Sequence, residues 1–336
     1  MSPGGGYGRL GPVGAPVYFG PYRVLERLGQ GGMCHVFRAR RDGAEGDCAL
    51  KVLKDEWKTD ARVRDMFMTE ADVSMMIEHP NLVHAHDAGE VMGRPFIELE
   101  LIEGGNLGDL SEKCAELHLP LPFDTSMYIV SELLDGLHAL HESKSRAGTP
   151  LGLVHRDVSP HNVFLSFDGR VILGDFGVAH IQAYGSSDDA HPLGKFGYLA
   201  PEMAQGEEVD RKADIFSAGI ILYELLTGHA PFDAGNDQEA LAQAVEAKFP
   251  RPSRFVSSMP RELESVILKA TARRPRDRFE TGEEFLLELE PYWSKQLANP
   301  FALQGLLAAV RPNEAHSWWA RRRQPIRGIA SGWPSG

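Results

Sequence analysis

The sequence predicts an α+β chain built as two unequal lobes, a small sheet-rich one followed by a larger helical one. Three observations carry that expectation. From Tyr22 to Ile102 apolar residues come mostly in short strand-like runs broken by glycines, with one helical stretch among them. Beyond Gly105 the apolar spacing turns helical and stays so. The 336 residues, 43% of them hydrophobic, suffice for two packed units.

Residues 1–20 are rich in Gly and Pro and lack an apolar core, so they read as a flexible arm and not as a secretory leader. Residues 21–102 form the small lobe. Tyr22-Arg-Val-Leu-Glu-Arg-Leu28 alternates toward a strand and breaks at Gly29-Gln-Gly31-Gly32. His35-Val-Phe37 and the run from Cys48 to Leu53 give two more strands. Between Asp60 and Glu78, Val63, Phe67, Val73 and Ile77 recur mostly at helical spacing, with Glu70 among them. Phe96 to Ile102 is again strand-like, and a hinge is expected from Leu101 to Gly105.

Residues 103–292 form the larger lobe. Ile129, Leu133, Leu137 and Leu140 share one helical face, with Asp124 or Thr125 as the expected N-cap. Asp214 to Leu226 is apolar nearly all round, the mark of a buried central helix. Thr281 and Glu284 have capping-box spacing and open a helix through Leu289. Residues 293–336 read as a C-terminal tail with a short helix, Leu303 to Val310, and a basic run at Arg321-Arg322-Arg323.

Bulk properties exclude several classes. A net charge of −12 argues against a general nucleic-acid binder, which would present a basic face. No apolar run approaches the ~20 residues a bilayer span needs, so a cytoplasmic chain that is not by itself a receptor is expected. Cys34, Cys48 and Cys114 are odd in number and lack paired metal spacing, which suits reduced thiols.

The chemistry concentrates in His155-Arg-Asp-Val-Ser-Pro-His-Asn162, where Asp157 stands five residues before Asn162. That spacing suits a carboxylate taking a hydroxyl proton while an amide oxygen holds a metal ion. Asp175-Phe176-Gly177 follows as a second candidate metal ligand with its flanking residues. Upstream, Gly29 and Gly31 would let backbone N–H groups approach phosphate oxygens, although taken alone they make a plain hairpin turn. Lys51 sits in the apolar run Ala49-Leu-Lys-Val52, which favours a buried strand over a surface lysine. Ala200-Pro201-Glu202 lies downstream. A lone Asp after His-Arg is most often a turn residue, but the order and spacing of the whole set make that reading improbable.

These motifs resemble those of the eukaryotic-like protein kinase family, over roughly residues 20 to 292. Bacterial Ser/Thr kinases are the nearest in pattern, with Gly31-Gly-Met33 in the loop and His155-Arg-Asp-Val-Ser-Pro160 in the lobe. The resemblance implies a bilobal protein kinase fold with ATP in the cleft and Mg2+ bridging its phosphates. It implies Asp157 as catalytic base, Lys51 paired with Glu70 on the α- and β-phosphates, and Asn162 and Asp175 on magnesium. Gly29, Gly31, Val36, Ala49 and Phe164 would enclose the nucleotide, Glu100 and Ile102 would offer backbone groups to the base, and Leu99 would guard the deeper pocket. Glu202 would pair with Arg278, and Asp214 would bond the catalytic-loop backbone. Arg156 implies control by an anion from the activation segment, with Tyr184, Ser186 and Ser187 as candidate phosphate acceptors and Asp188 and Asp189 as standing charges.

Three departures from the family pattern matter. Cys34 stands where a third glycine is usual, which leaves either a redox-sensitive thiol or an inert small residue. Ser159 replaces the lysine that touches the γ-phosphate, and Lys195 replaces the threonine that steadies it. Lys195 therefore either reaches in as the missing cation or points to solvent. The implied function is a Ser/Thr protein kinase acting on protein substrates and phosphorylating its own activation segment. The alternative is a pseudokinase serving as an ATP-binding scaffold; a small-molecule kinase is disfavoured by Ala200-Pro201-Glu202 and Asp214. The tail, with Trp318-Trp319 beside the arginines, either docks a partner, an anionic lipid or the kinase itself, or lies solvated against the helical lobe.

Overall fold

The computed structural model describes residues 16–145, 147–176, 195–232, 237–294 and 296–322. Six antiparallel strands form the first sheet: β1 (Val17–Phe19), β2 (Tyr22–Gln30), β3 (Cys34–Arg41), β4 (Cys48–Leu53), β5 (Ala85–Val91) and β6 (Arg94–Glu100). They lie in the order β1-β2-β3-β4-β6-β5. β4 is central and buried along its whole length, so both its faces are apolar apart from Lys51. Gly29 and Gly31 mark the β2–β3 turn; β2 runs on to Gln30, and the Gly31 N–H donates to the Cys34 carbonyl at 3.0 Å.

Helix α1 (Ala61–Met76) packs beside this sheet. Its N-cap Asp60 accepts from the N–H groups of Arg62 and Val63, which satisfies two of the orphan donors at the helix start. The face carrying Phe67, Glu70, Ala71 and Val73 is buried.

After the hinge, β7 (Gly104–Asn106), β8 (Val163–Ser166) and β9 (Val171–Leu173) make a small antiparallel sheet. The larger lobe adds α2 (Leu107–Glu116), α3 (Phe123–His141), α4 (Pro201–Ala204), α5 (Lys212–Thr227), α6 (Asp237–Glu246), α7 (Arg261–Ala270) and α8 (Gly282–Leu289). α5 is buried on nearly every side and packs on α3 and α7. It ends at Gly228, whose left-handed φ of 71° a side chain would resist. The expected cap of α3 is corrected: Pro122 is the N-cap and makes no side-chain bond, while Asp124 falls within the first turn. A proline there fixes the extended entry, and the Ser126 N–H bonds back to the Pro122 carbonyl. In α8 the Thr281 hydroxyl accepts from the Glu284 N–H, but the Glu284 carboxylate takes the Glu280 N–H, one residue outside the reciprocal pattern.

The tail holds two helices, α9 (Pro300–Val310) and α10 (Pro312–Arg322). Leu303, Leu307, Val310 and Ala315 are buried in the main core together with α3 and α5.

A buried ion pair ties this lobe together. Arg278 holds Glu202 through two parallel bonds of 2.6 and 2.7 Å, and its other donors reach the carbonyls of Lys212, Ala272 and Arg273. The guanidinium also stacks over Phe216. Removing one partner strands the other charge, so Glu202→Ala is expected to lower stability by about 3–5 kcal/mol, read by urea denaturation.

Candidate active site

The site forms where the two sheets meet. β4 places Lys51 opposite Val36 of β3 and Ile97 of β6, pointing it toward α1. Its ammonium lies 2.6 Å from Glu70 Oε1 and 2.8 Å from Asp175 Oδ1. Burial works against the charged ammonium, but the carboxylates of Asp175 and Glu70 outweigh it and hold the pKa well above the usual lysine value. Lys51 is therefore a fixed cation at any physiological pH.

The loop between α3 and β8 carries the other half. His155 is fully buried, and its ring sits 5.4 Å from Phe176 with Nε2 against the Gly174 carbonyl. Desolvation lowers the pKa of that ring, so it stays neutral. The Asp214 carboxylate, on the first turn of α5, accepts from the backbone N–H of His155 at 2.7 Å and of Arg156 at 2.8 Å. His141 Nε2 lies 2.8 Å from the same carboxylate. Burial would raise the Asp214 pKa, but the hydrogen bonds from His141 and from the backbone N–H of Arg156 more than reverse it, and the group stays ionised.

Asn162 sits 3.0 Å, N–H to carbonyl, from Ser159 in a short 3-10 turn. Its amide nitrogen lies 2.7 Å from the Asp157 carbonyl and 2.8 Å from Asp157 Oδ2. Both contacts are acceptors, so the NH2 must face them and the amide oxygen is the atom left for a hard cation. Asp175 follows Gly174, and its own φ of 57° is left-handed, as is the 66° of Arg156. Non-glycine residues in that region store strain and cluster at functional sites.

Apolar walls complete the cleft. Ala49 pairs with Leu99 across β4 and β6, and Val36 and Phe164 pack on the same core cluster. Phe164 lies on β8 opposite Asn106 and presses on Gly174, where a Cβ would meet its ring at 2.9 Å. Glu100 ends β6; its N–H bonds the His84 carbonyl and its carboxylate pairs with Arg170 at 3.0 Å. Ile102 follows in the extended hinge.

The sequence-predicted residues Lys51, Glu70, Asp157, Asn162 and Asp175 thus converge, with Val36, Ala49, Leu99 and Phe164 beside them. Lys195 falls in a short 3-10 turn, Lys195–Tyr198, but its side chain lies outside the described residues, as do Gly177, Tyr184, Ser186, Ser187, Asp188 and Asp189. Sequence reasoning missed His141, because a histidine in the last turn of a helix carries no signal of a partner far along the chain.

A search against protein-family models matches the protein kinase domain over residues 22–286. The chain belongs to the protein kinase family. The kinase is 34% identical over 289 residues to the tyrosine-protein kinase MasK of Myxococcus xanthus, covering 85% of this chain and 45% of MasK. It is 32% identical over 274 residues to the serine/threonine-protein kinase PrkC of Bacillus subtilis, covering 81% of this chain and 40% of PrkC. With the serine/threonine-protein kinase PknL of Mycobacterium tuberculosis it shares 32% over 294 residues, 87% of this chain and 70% of PknL. This kinase chain spans less than half the length of the first two relatives. Among solved structures, the PknI kinase domain of M. tuberculosis aligns with a TM-score of 0.63 at 28% identity, covering 83% of this chain and 98% of that one. No helix among the kinase's described residues is long and apolar enough to cross a membrane.

Cys34 is buried beneath the turn, and desolvation pushes its thiol up to about 12. Thiolate is the reactive form and burial disfavours it, which supports the inert reading of Cys34 over the redox one. Iodoacetamide at pH 8 should label Cys34 far more slowly in the folded kinase than in urea. Cys34→Ala should leave the peroxide response of turnover unchanged.

Proposed function

We propose that this chain transfers the γ-phosphoryl group of ATP to Ser or Thr hydroxyls of proteins, including its own activation segment. The observation that carries the reading is Lys51 held at once by Glu70 and Asp175, since the family's catalytic state needs that lysine–glutamate pair and the Asp beside it. A silent scaffold has no need of this arrangement together with an oriented Asp157, and nothing in the site favours the pseudokinase alternative.

The donor set fits magnesium. Among the described residues no group of three His, Cys, Asp or Glu could hold a metal by itself. Asn162 and Asp175 offer two oxygens, and phosphate oxygens and water would complete the shell that a small hard ion prefers. Magnesium bound there supplies charge neutralisation on the transferring group.

The chain's own residues do the rest by position. Lys51 lies where the α- and β-phosphates enter, already stripped of water and fixed by two carboxylates, so little reorganisation accompanies transfer. Asp157 is aimed by the Asn162 amide and by its place after the strained Arg156. It orients the acceptor hydroxyl and takes its proton. Val36, Ala49 and Phe164 exclude water from the adenine side, with Gly29 and Gly31 covering the phosphates and the backbone of Glu100 and Ile102 reading the base edge. Arg156 makes the loop responsive to an anion from the activation segment.

Lys195 supplies the cation that Ser159 lacks. Ser159 is buried and its hydroxyl is neutral, so a cation at the γ-phosphate has to come from another residue. Loss of one preorganised donor typically costs ~10²–10³ in kcat, so Lys195→Ala should lose about that much with Mg-ADP affinity kept. Unchanged turnover would sink this role.

The relative from M. xanthus is named a tyrosine-protein kinase, and it favours a second reading in which the acceptor is Tyr. Phosphosite mapping after incubation with Mg-ATP and myelin basic protein separates the two. Phosphate on Ser or Thr, reduced roughly 10²–10⁴-fold in Asp157→Asn, is the expected result. Phosphotyrosine alone would move the assignment to the second reading, and no transfer with intact nucleotide binding would restore the scaffold.

A further inference from the structure

Helix α9 begins beyond residue 286, where the kinase-domain match ends, yet it is built into the back of the nucleotide site. Two contacts define its seat. At its start, Pro300 lies so close to Gly169 that a Cβ there would meet the Pro300 carbonyl at 2.5 Å, and Gln304 Nε2 donates to the Asp168 carbonyl at 2.8 Å. Both belong to the β8–β9 turn. At its end, Arg311 donates from Nη1 to the Gly104 carbonyl at 3.1 Å and from Nη2 to Asp109 Oδ2 at 3.2 Å. Gly104 is the hinge end of β7, and Asp109 lies in the first turn of α2.

The guanidinium lies against the backbone of Gly105. A Cβ at that position would stand 3.0 Å from Arg311 Cζ and 3.1 Å from both Nη atoms. Elsewhere along the hinge the Phe167 N–H reaches the Glu103 carbonyl, Arg38 approaches Glu103 at 3.5 Å, and β7 pairs with β8. Asn106, next along, spends its side chain capping α2 through the Asp109 N–H. Arg311 therefore joins β7, the hinge and the start of α2 into one block, with five donors on a rigid fork well suited to hold a carbonyl and a carboxylate together.

We propose that Arg311 is a positioning residue for nucleotide binding: a latch from the C-terminal helix pair that fixes the hinge in its ATP-ready shape. The inference rests on the kinase reading above and deepens it. α9 braces the three-stranded sheet at its turn and at its hinge strand. Asn162 precedes β8 and Asp175 follows β9, so both metal ligands lie at the end of that hairpin away from the braced turn. Without the latch the hinge is free to sample conformations in which its backbone groups miss the base, and the competent fraction falls. Chemistry at saturating nucleotide is unaffected, because Arg311 touches neither Asp157 nor Lys51.

Calorimetric titration of the full chain with Mg-ADP tests this. Arg311→Ala should weaken binding roughly three- to ten-fold, on the scale of one lost charged hydrogen-bond pair. The KM for ATP should rise by a similar factor while kcat holds. Arg311→Lys, which keeps the charge but not the fork, should fall between. Asp109→Ala removes the carboxylate end of the latch and leaves α9 and the hinge residues unchanged; it should weaken binding in the same direction, which keeps the test open if Arg311→Ala fails to fold. Equal Mg-ADP affinity in wild type and in the folded variants would overturn the latch while leaving the kinase reading intact. A wild-type chain that binds no Mg-ADP would take down the proposed function, and the latch with it.

Discussion

The Asp214 carboxylate fixes the catalytic loop to the rest of the molecule. It is buried on the first turn of α5, itself sunk in the larger lobe, and it accepts from two successive backbone N–H groups and from His141. A lone ion in such a place would be expelled or neutralised. Three donors reverse that, and in doing so they dictate the path of the chain through His155 and Arg156. The left-handed φ of Arg156 is the consequence: the backbone must turn both N–H groups toward one carboxylate, and a non-glycine residue tolerates the resulting strain because the hydrogen bonds over-determine it. Asp157 emerges from that turn already aimed, and the Asn162 amide holds its carboxylate from the other side.

A second strained residue answers the first. Asp175 is also left-handed, and it follows Gly174, whose lack of a Cβ lets Phe164 close against the backbone. Gly174 in turn receives two tethers from the loop, the His155 ring at its carbonyl and its own N–H to the Asn162 carbonyl at 2.9 Å. The two halves of the site therefore share a spine. The residues proposed to face the metal, the acceptor hydroxyl and the adenine are thus tied together by backbone bonds and by buried side chains. Lys51 then bridges the lobes, carrying Glu70 of α1 on one side and Asp175 on the other.

Much of this was legible in the sequence because phosphoryl transfer restricts residue types. A fixed cation, a base and two hard oxygen ligands leave few substitutes, and along the chain they read Lys51, His155-Arg-Asp157, Asn162 and Asp175. Lobes and helices were legible through apolar spacing: Phe67 and Val73 lie among the buried residues of α1, and Ile129, Leu133, Leu137 and Leu140 among those of α3. What escaped were features with no periodic or compositional trace. The sequence points to Asp124 or Thr125 as the cap of α3 where the helix uses Pro122, because side-chain oxygens signal a cap and a proline does so only through its fixed φ. α10 is predominantly polar and offers no apolar stripe to find. His141 is one of two histidines in α3, and its partner lies in another element entirely.

The C-terminal helices show why the boundary of a catalytic unit is better drawn from burial than from motif content. Motifs end with the chemistry, and the last residue that any phosphate or hydroxyl requires lies well before Leu289. The core does not end there. Leu303, Leu307 and Val310 fill the same cluster as α3 and α5, and Gly169 is pressed on the Pro300 backbone too closely for any side chain at that turn. A glycine held to that tolerance makes the β8–β9 turn and the start of α9 a matched pair, so neither sequence is free to vary alone. The tail is thus a wall of the lobe that contains the site, and Arg311 is turned inward to the hinge. An element can lie outside the recognisable sequence of a family and still set the shape of the cleft, because packing transmits position through contact where chemistry transmits only identity.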